Sequence, residues 1–165
     1  MATIDLNADL GETVEGVPTA DDEAMFAVIS SASVACGGHA GDAASMREAV
    51  DRSRRFGVAL GAHPSFPDRL GFGRVALPLD PDDLRVVIDG QLTDLAAAGA
   101  DIRYVKPHGA LYHAAGSDPA VARAVAAAVV RLSDRVGRAV PVLALGDALA
   151  GAAADIGLPF VREAF

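Results

Sequence analysis

The sequence predicts an α/β domain built on parallel strands, and three observations carry that reading. Short apolar stretches alternate with longer amphipathic ones along the whole chain, the pattern of strands joined by right-handed helical crossovers. Helix start and stop signals fall between those stretches. The unusual polar residues collect at the ends of the predicted strands, where parallel α/β folds build their sites.

Taken in order, Thr3 to Asp9 reads as strand one. Asp21 to Ser31 reads as a short helix capped by Thr19 or Asp21, with acids in its first turn. Ser33 to His39 is strand two; Asp42 opens a helix to about Phe56, closed by Gly57 at C′. Val58 to His63 is strand three. The connection from Pro64 to Leu79 is rich in Pro, Gly and Asp and long enough to be a binding loop or lid. Asp80-Pro81 starts a helix ending near Gly99, with Pro at its first position. Ile102 to His108 is strand four, and Asp118-Pro119 begins a helix ending near Gly137. Val140 to Leu145, Asp147 to Asp155 and Pro159 to Glu163 are strand five, a helix and strand six. Either an α/β barrel or a doubly wound open sheet satisfies this order. The chain stops in or just after a strand, and six strands do not comfortably close a barrel. The reading is therefore of one domain over residues 1–165, incomplete at its C-terminus.

Composition narrows the partners. With 52% hydrophobic and 22% charged residues, the chain is globular rather than disordered. A net charge of -8 disfavours nucleic acid and anionic membranes, which it would repel. A lone cysteine, Cys36, forms no intrachain disulfide and is expected to pack in the core. That and the lack of a basic-then-apolar N-terminus fit the cytoplasm. Lys106 is the only lysine among many arginines, and a lysine offers a compact charge that Arg does not.

Residues two apart on a strand share a face. Asp5, Asn7 and Asp9 therefore point one way, with Ile4, Leu6 and Ala8 toward the helices. Ala35, Gly37 and His39 form a second such series, Ala59, Gly61 and His63 a third, and Tyr104, Lys106 and His108 a fourth. Together they predict a polar cavity floored by small residues, which leave room for a ligand, and walled by Asp, His and Lys. Asp9, Lys106 and His108 are the candidate catalytic residues; Asn7, Glu12, His39, His63 and Arg74 are the candidate substrate-binding ones. Asp9 would serve as general base and Lys106 as the cation for a developing oxyanion or phosphate. Arg69 and Arg74 could each hold a carboxylate through a bidentate pair. Simpler readings stand beside these. Asp42 can merely cap its helix, Asp5 can cap a loop, and the Arg69–Arg74 segment can be a solvated loop with Phe72 as lid or satellite core residue. No phosphate loop, dinucleotide fingerprint or nucleophile elbow is present. Neither a His-x-x-x-His nor a Cys-x-x-Cys pair occurs, so no metal is assigned. Asp9 with two or three His from separate strands stays open as a ligand set.

Four segments carry a resemblance. Asn7 to Glu12, Ala35 to Asp42, Gly61 to Pro64 with Gly71 to Arg74, and Lys106 to Tyr112 resemble the LamB/YcsF family, the A subunits of prokaryotic 5-oxoprolinase. The resemblance implies an irregular parallel (β/α) barrel of the glycoside hydrolase/deacetylase type. It also implies cleavage of 5-oxo-L-proline to L-glutamate coupled to ATP hydrolysis, in a complex with subunits B and C. ATP with Mg would be bound mainly by a partner, since this chain lacks a phosphate loop. Family members usually carry Phe where this chain has Gly38, which implies a looser strand-two corner, and they run to roughly 250 residues. The alternatives are a metal-dependent amide or sugar deacetylase and a non-catalytic ligand-binding subunit.

Overall fold

The computed structural model describes residues 4–164; the predicted start of strand one at Thr3 lies outside them. Six strands form one parallel sheet: β1 (Asn7–Leu10), β4 (Ser31–Ala35), β5 (Ala59–His63), β6 (Ile102–Val105), β7 (Val142–Ala144) and β8 (Phe160–Arg162). Their order across the sheet, β1-β4-β5-β6-β7-β8, is their order along the chain. No strand order reverses, so right-handed crossovers place the helices on one face. That winding is barrel-like and excludes the doubly wound alternative, whose order reverses at a switch point.

The predicted helices appear where their caps place them. Asp42 accepts from the backbone of Ala44 and Ser45, Ser45 Oγ answers the Asp42 N–H, and α2 (Ala43–Phe56) ends on Gly57 at φ 69. Asp42 is thus a helix cap. α3 (Pro81–Ala97) and α5 (Pro119–Val136) both open on an Asp-Pro pair; α6 (Asp147–Asp155) follows Gly146 and has no side-chain cap. In α3, Leu84, Ile88, Leu92 and Leu95 recur at helical spacing and are buried; α5 meets them with Ala122, Val125, Val129 and Leu132, also buried. Each buried Leu contributes roughly 1.5–3 kcal/mol, which makes this pair the main anchor of the helical layer.

Other elements differ from expectation. α1 (Asp22–Phe26) is one turn long, because Ser31 already pairs with Asn7 in the sheet. Strand two ends at Ala35, four residues early, since Gly37 turns at φ 86. His39 therefore lies in a loop, and the Ala35–Gly37–His39 face does not exist. Two elements were not expected: α4 (Gly109–Ser117), which lacks a side-chain cap, and a hairpin of β2 (Thr13–Val14) and β3 (Val17–Pro18). Glu15 and Gly16 have φ 51 and 78, the paired positive values of the turn that best fits strand twist. Sheet pairing starts at Asn7, so Ile4 and Leu6 precede β1 and are exposed, while Ala8 packs on the core as expected. β1 and β8 are the two sheet edges. Among the described residues no helix is long and apolar enough to cross a membrane.

Cys36 is buried, and its Sγ donates to the Val34 carbonyl at 3.1 Å. Burial pushes its thiol up to about 12. Folded protein at pH 8 should therefore resist alkylation and react only after unfolding. Stoichiometric native-state labelling, read by mass spectrometry, would refute a packing role.

Candidate active site

The polar face of the sheet begins with Asn7. Its amide nitrogen donates to Ser31 Oγ (2.7 Å) and to Tyr104 Oη (2.6 Å), and its oxygen accepts from Ser33 Oγ (2.9 Å) and Lys106 Nζ (3.1 Å). An amide has two donors and two acceptor lone pairs, so every one is used. Asn7 is a floor residue that aims Lys106, not the substrate contact the sequence suggests. Asp5 adds to the same floor by accepting from Ser31 Oγ at 2.6 Å. Nor does Gly61 leave room for a ligand: a Cβ there would lie 2.2 Å from the Tyr104 ring, which fills the space.

Above this floor the strand ends converge. Lys106 Nζ lies 2.8 Å from Asp9 Oδ1 and 3.4 Å from Glu163 Oε1. Asp9 Oδ2 lies 3.3 Å from His63 Nε2. Burial raises the Asp9 carboxyl, but its contacts with His63 and with the Lys106 ammonium outweigh it and hold the group far below the usual range. An ammonium has three N–H groups. Asp9 and Asn7 take two, and Glu163 holds the third only loosely. Glu163, on the far side, accepts from Tyr112 Oη at 2.7 Å, and burial with that carboxylate pushes the Tyr112 phenol up.

The histidines form a second layer. His63 Nδ1 lies 2.6 Å from the Lys106 carbonyl, and His108 Nε2 lies 2.9 Å from the Phe72 carbonyl. A carbonyl only accepts, so both of these nitrogens carry protons. The other two, His63 Nε2 and His108 Nδ1, stand 3.0 Å apart. Burial, then the neighbouring His63 and His39, lower His108 to about 4, so it is neutral near pH 7. His39 stacks on His108 with ring centroids 3.7 Å apart, and its Nε2 lies 3.1 Å from Glu12 Oε1. Burial lowers His39 also. Glu12 is pulled down by His39 against the opposing effect of burial.

The long connection closes over these rings. Phe72 (φ 54) sets its ring edge-on to His39 and His108, at 5.2 and 5.6 Å. Gly73 sits so close that a Cβ would meet His39 Cβ at 2.7 Å. Arg69, expected to hold a carboxylate, instead donates to the carbonyls of Gly37 and Gly41 and staples the His39 loop. Arg74 is exposed at the rim.

Asp9, His63, Arg74, Lys106, His108, Tyr112 and Glu163 line one cleft of about 270 Å³. Asn7 lies beneath it. His39 is behind it, buried against His108, so it supports the ring rather than touching a ligand. A larger cleft of about 570 Å³, lined by Asp42, Arg47, Arg69 and Asp94, holds none of the strand-end constellation; size alone does not make a site, and we place the chemistry in the smaller one. The sequence assigned no site role to Glu163 or Tyr112, and placed Tyr104 on the inward face without its part in the floor. Glu163 was legible by the strand-end rule, had it been applied to strand six as to strands one to four.

Residues 4–165 match the LamB/YcsF family. The chain belongs to that family. It is 46% identical over its full length to the A subunit of 5-oxoprolinase from Chloroflexus aggregans, covering 66% of that protein. It is 48% identical over 98% of its length to the A subunit of 5-oxoprolinase from Streptomyces coelicolor, covering 65% of it. The chain thus spans just under two thirds of these relatives. The crystal structure of the lactam utilization protein from Thermus thermophilus superposes with a TM-score of 0.93 at 39% identity, over 99% of this chain and 67% of that one.

Family resemblance implied that Gly38 loosens its corner, and the structure overturns this. A Cβ on Gly38 would lie 2.4 Å from both Gln91 Oε1 and Ser65 Oγ. The space is filled by the buried Gln91, which accepts from Ser65 N–H (3.0 Å) and donates to the Ser65 carbonyl (2.8 Å). Gly38→Ala should therefore destabilise by about 1–2 kcal/mol. Adding Gln91→Ala should make Gly38→Ala cost less than it does alone. Additive losses in denaturant unfolding would show that the two positions do not compete.

Proposed function

We propose that this chain is the A component of an ATP-dependent 5-oxoprolinase, contributing the cleft in which the lactam of 5-oxo-L-proline is opened to L-glutamate. The observation that supports it most is the Lys106 ammonium, held by Asp9 and Asn7 with its third N–H only loosely engaged, in a chain whose relatives bear that name. A five-membered lactam is a resonance-stabilised amide. Phosphorylating its oxygen removes the amide resonance and opens the carbon to water; the tetrahedral adduct then expels the ring nitrogen, which takes a proton, and the acyl phosphate left behind is hydrolysed to the carboxylate and phosphate, which accounts for the ATP. With no phosphate loop here, ATP and its Mg fall mainly to partner subunits B and C in this reading, in the cytoplasm.

The roles follow from which atoms are free. Lys106 turns its loosely held N–H from Glu163 to the developing oxyanion. Arg74 at the rim suits the substrate carboxylate. Asp9 is a poor proton acceptor, because both oxygens are engaged and its basicity is low; it orients Lys106 and His63 instead. Glu12 takes the general-base role, since only its Oε1 is bound, by His39, and it lies 3.8 Å from His108 Nδ1. His108, with Nε2 on the Phe72 carbonyl and Nδ1 against His63, braces the cleft wall beside Glu12. The test is ATP-dependent glutamate release by the full-length protein with its partner subunits. Glutamate and ADP should appear together only when all components are present. Equal release without this component would sink the reading.

A further inference from the structure

We propose that His63 Nε2, His108 Nδ1 and Asp9 Oδ2 form a three-ligand site for one divalent transition metal of the zinc class. Each ring has its far nitrogen on a backbone carbonyl, Lys106 for His63 and Phe72 for His108. In the neutral rings the two remaining lone pairs therefore face each other across 3.0 Å, with a carboxylate oxygen 3.3 Å from one of them. Three acceptors converging without a donor repel one another. Something positive belongs among them.

A proton is the lesser solution. Placed on His63 Nε2, it makes one good hydrogen bond, to His108 or to Asp9, and leaves the other acceptor poorly served. A metal ion satisfies all three. Bonds of about 2.0–2.2 Å at tetrahedral angles put ligand atoms about 3.3–3.5 Å apart, and the two shorter separations here are 3.0 and 3.3 Å. The three donor atoms all lie within 4.8 Å of one another. Local charge agrees: Asp9, Glu12 and Glu163 stand against Lys106, and Arg74 at the rim leaves the balance negative. Each ligand is also braced from behind, the two rings by carbonyls and Asp9 Oδ1 by Lys106, the outer-shell support that metal ligands need.

The ligand set selects the ion. Two imidazoles and one carboxylate suit zinc, cobalt or manganese better than magnesium or calcium, which prefer oxygen alone. Three protein ligands leave a position open, the arrangement of catalytic rather than structural zinc sites. Asp9, His63 and His108 all line the cleft, so a water in that position is accessible to a ligand. Glu12 Oε1, 3.8 Å from the same His108 nitrogen, is within reach of such a water. The inference does not depend on the lactam reading, and its test needs no turnover.

The experiment uses the purified chain, stripped with chelator and titrated with Zn²⁺ alone by calorimetry. One equivalent should bind with a dissociation constant of about 1 µM or tighter. His63→Gln and His108→Gln should each weaken binding about a hundredfold or more. His113→Gln, an exposed histidine outside the cluster, should change it less than about twofold. A second measurement guards against misfolded variants. In ¹⁵N spectra of the native chain's histidines, zinc should move His63 Nε2 and His108 Nδ1, while His63 Nδ1 and His108 Nε2 stay protonated. Binding below a tenth of an equivalent overturns the site. So does one equivalent untouched by both substitutions, or a His63 ring that stays doubly protonated when zinc is added.

Discussion

Replacing Lys106 with Met should, on the function proposed above, lower ATP-dependent glutamate release by the assembled complex at least about a hundredfold, about 2.7 kcal/mol of barrier. Lys106→Arg should lower it at least about tenfold. The Met variant removes the only ammonium that the described residues place in the cleft and leaves Asp9 and Glu163 facing each other without it, so some loss of melting temperature accompanies the loss of rate. The Arg variant separates the two effects. It keeps the charge, and with it most of the stability. Its planar fork, however, does not reproduce three diverging N–H groups at 2.8, 3.1 and 3.4 Å from Asp9, Asn7 and Glu163. A folded Arg variant with near-full turnover would reduce Lys106 to a counter-ion for Asp9. An Arg variant that loses activity only in step with its melting temperature would make it a structural ion. Folded and slow is the expected outcome.

Most of the frame was legible because its signals are local. An Asp before a helix and a Gly after it report the same backbone geometry in any context, so α2, α3 and α5 stand where Asp42, Asp80-Pro81 and Asp118-Pro119 place them; α6 begins at Asp147 with no side-chain cap. Strand ends were harder. Strands two and four ran too far because Gly37 and Pro107 interrupt the ladder while the residues beyond remain apolar or aromatic. α4 escaped because Gly109 and Gly116 argue against a helix; its stability comes from packing on α5 and α6, which no local signal reports.

The site was legible as a set of residues but not as a division of labour. Asp9, His63, Lys106 and His108 do meet at one cleft. The difference between Asn7 below it and Glu163 within it depends on which hydrogen bonds are already used, and that is a tertiary fact. The same holds for Arg69. Two arginines in one loop looked alike, yet one is consumed by the carbonyls of Gly37 and Gly41 and the other stays at the rim. The histidine tautomers depend on two backbone carbonyls, of Lys106 and Phe72, that no side-chain motif announces.

Gly61→Ala should be the most damaging single methyl in the molecule's floor, costing about 3 kcal/mol of stability or more. Gly61 has ordinary strand geometry, so backbone strain is not the cause. The cause is the Tyr104 ring, whose Cε2, Cζ and Cδ2 would lie 2.2, 2.3 and 2.6 Å from the new carbon. A flexible side chain could swing away cheaply. Tyr104 is buried, and its hydroxyl is tied to Asn7 and placed 3.3 Å from Ser33 Oγ. Moving the ring breaks the bond to Asn7, and Asn7 is what aims Lys106. Activity should therefore fall along with stability, even at temperatures where the variant remains folded. A second change tests the mechanism: Tyr104→Leu removes the clash at the price of the Asn7 bond. If the ring is the obstacle, Gly61→Ala should cost much less in the Tyr104→Leu background than in the native one. Equal costs in both backgrounds, measured by denaturant unfolding, would place the damage elsewhere in β5 and leave Tyr104 a bystander.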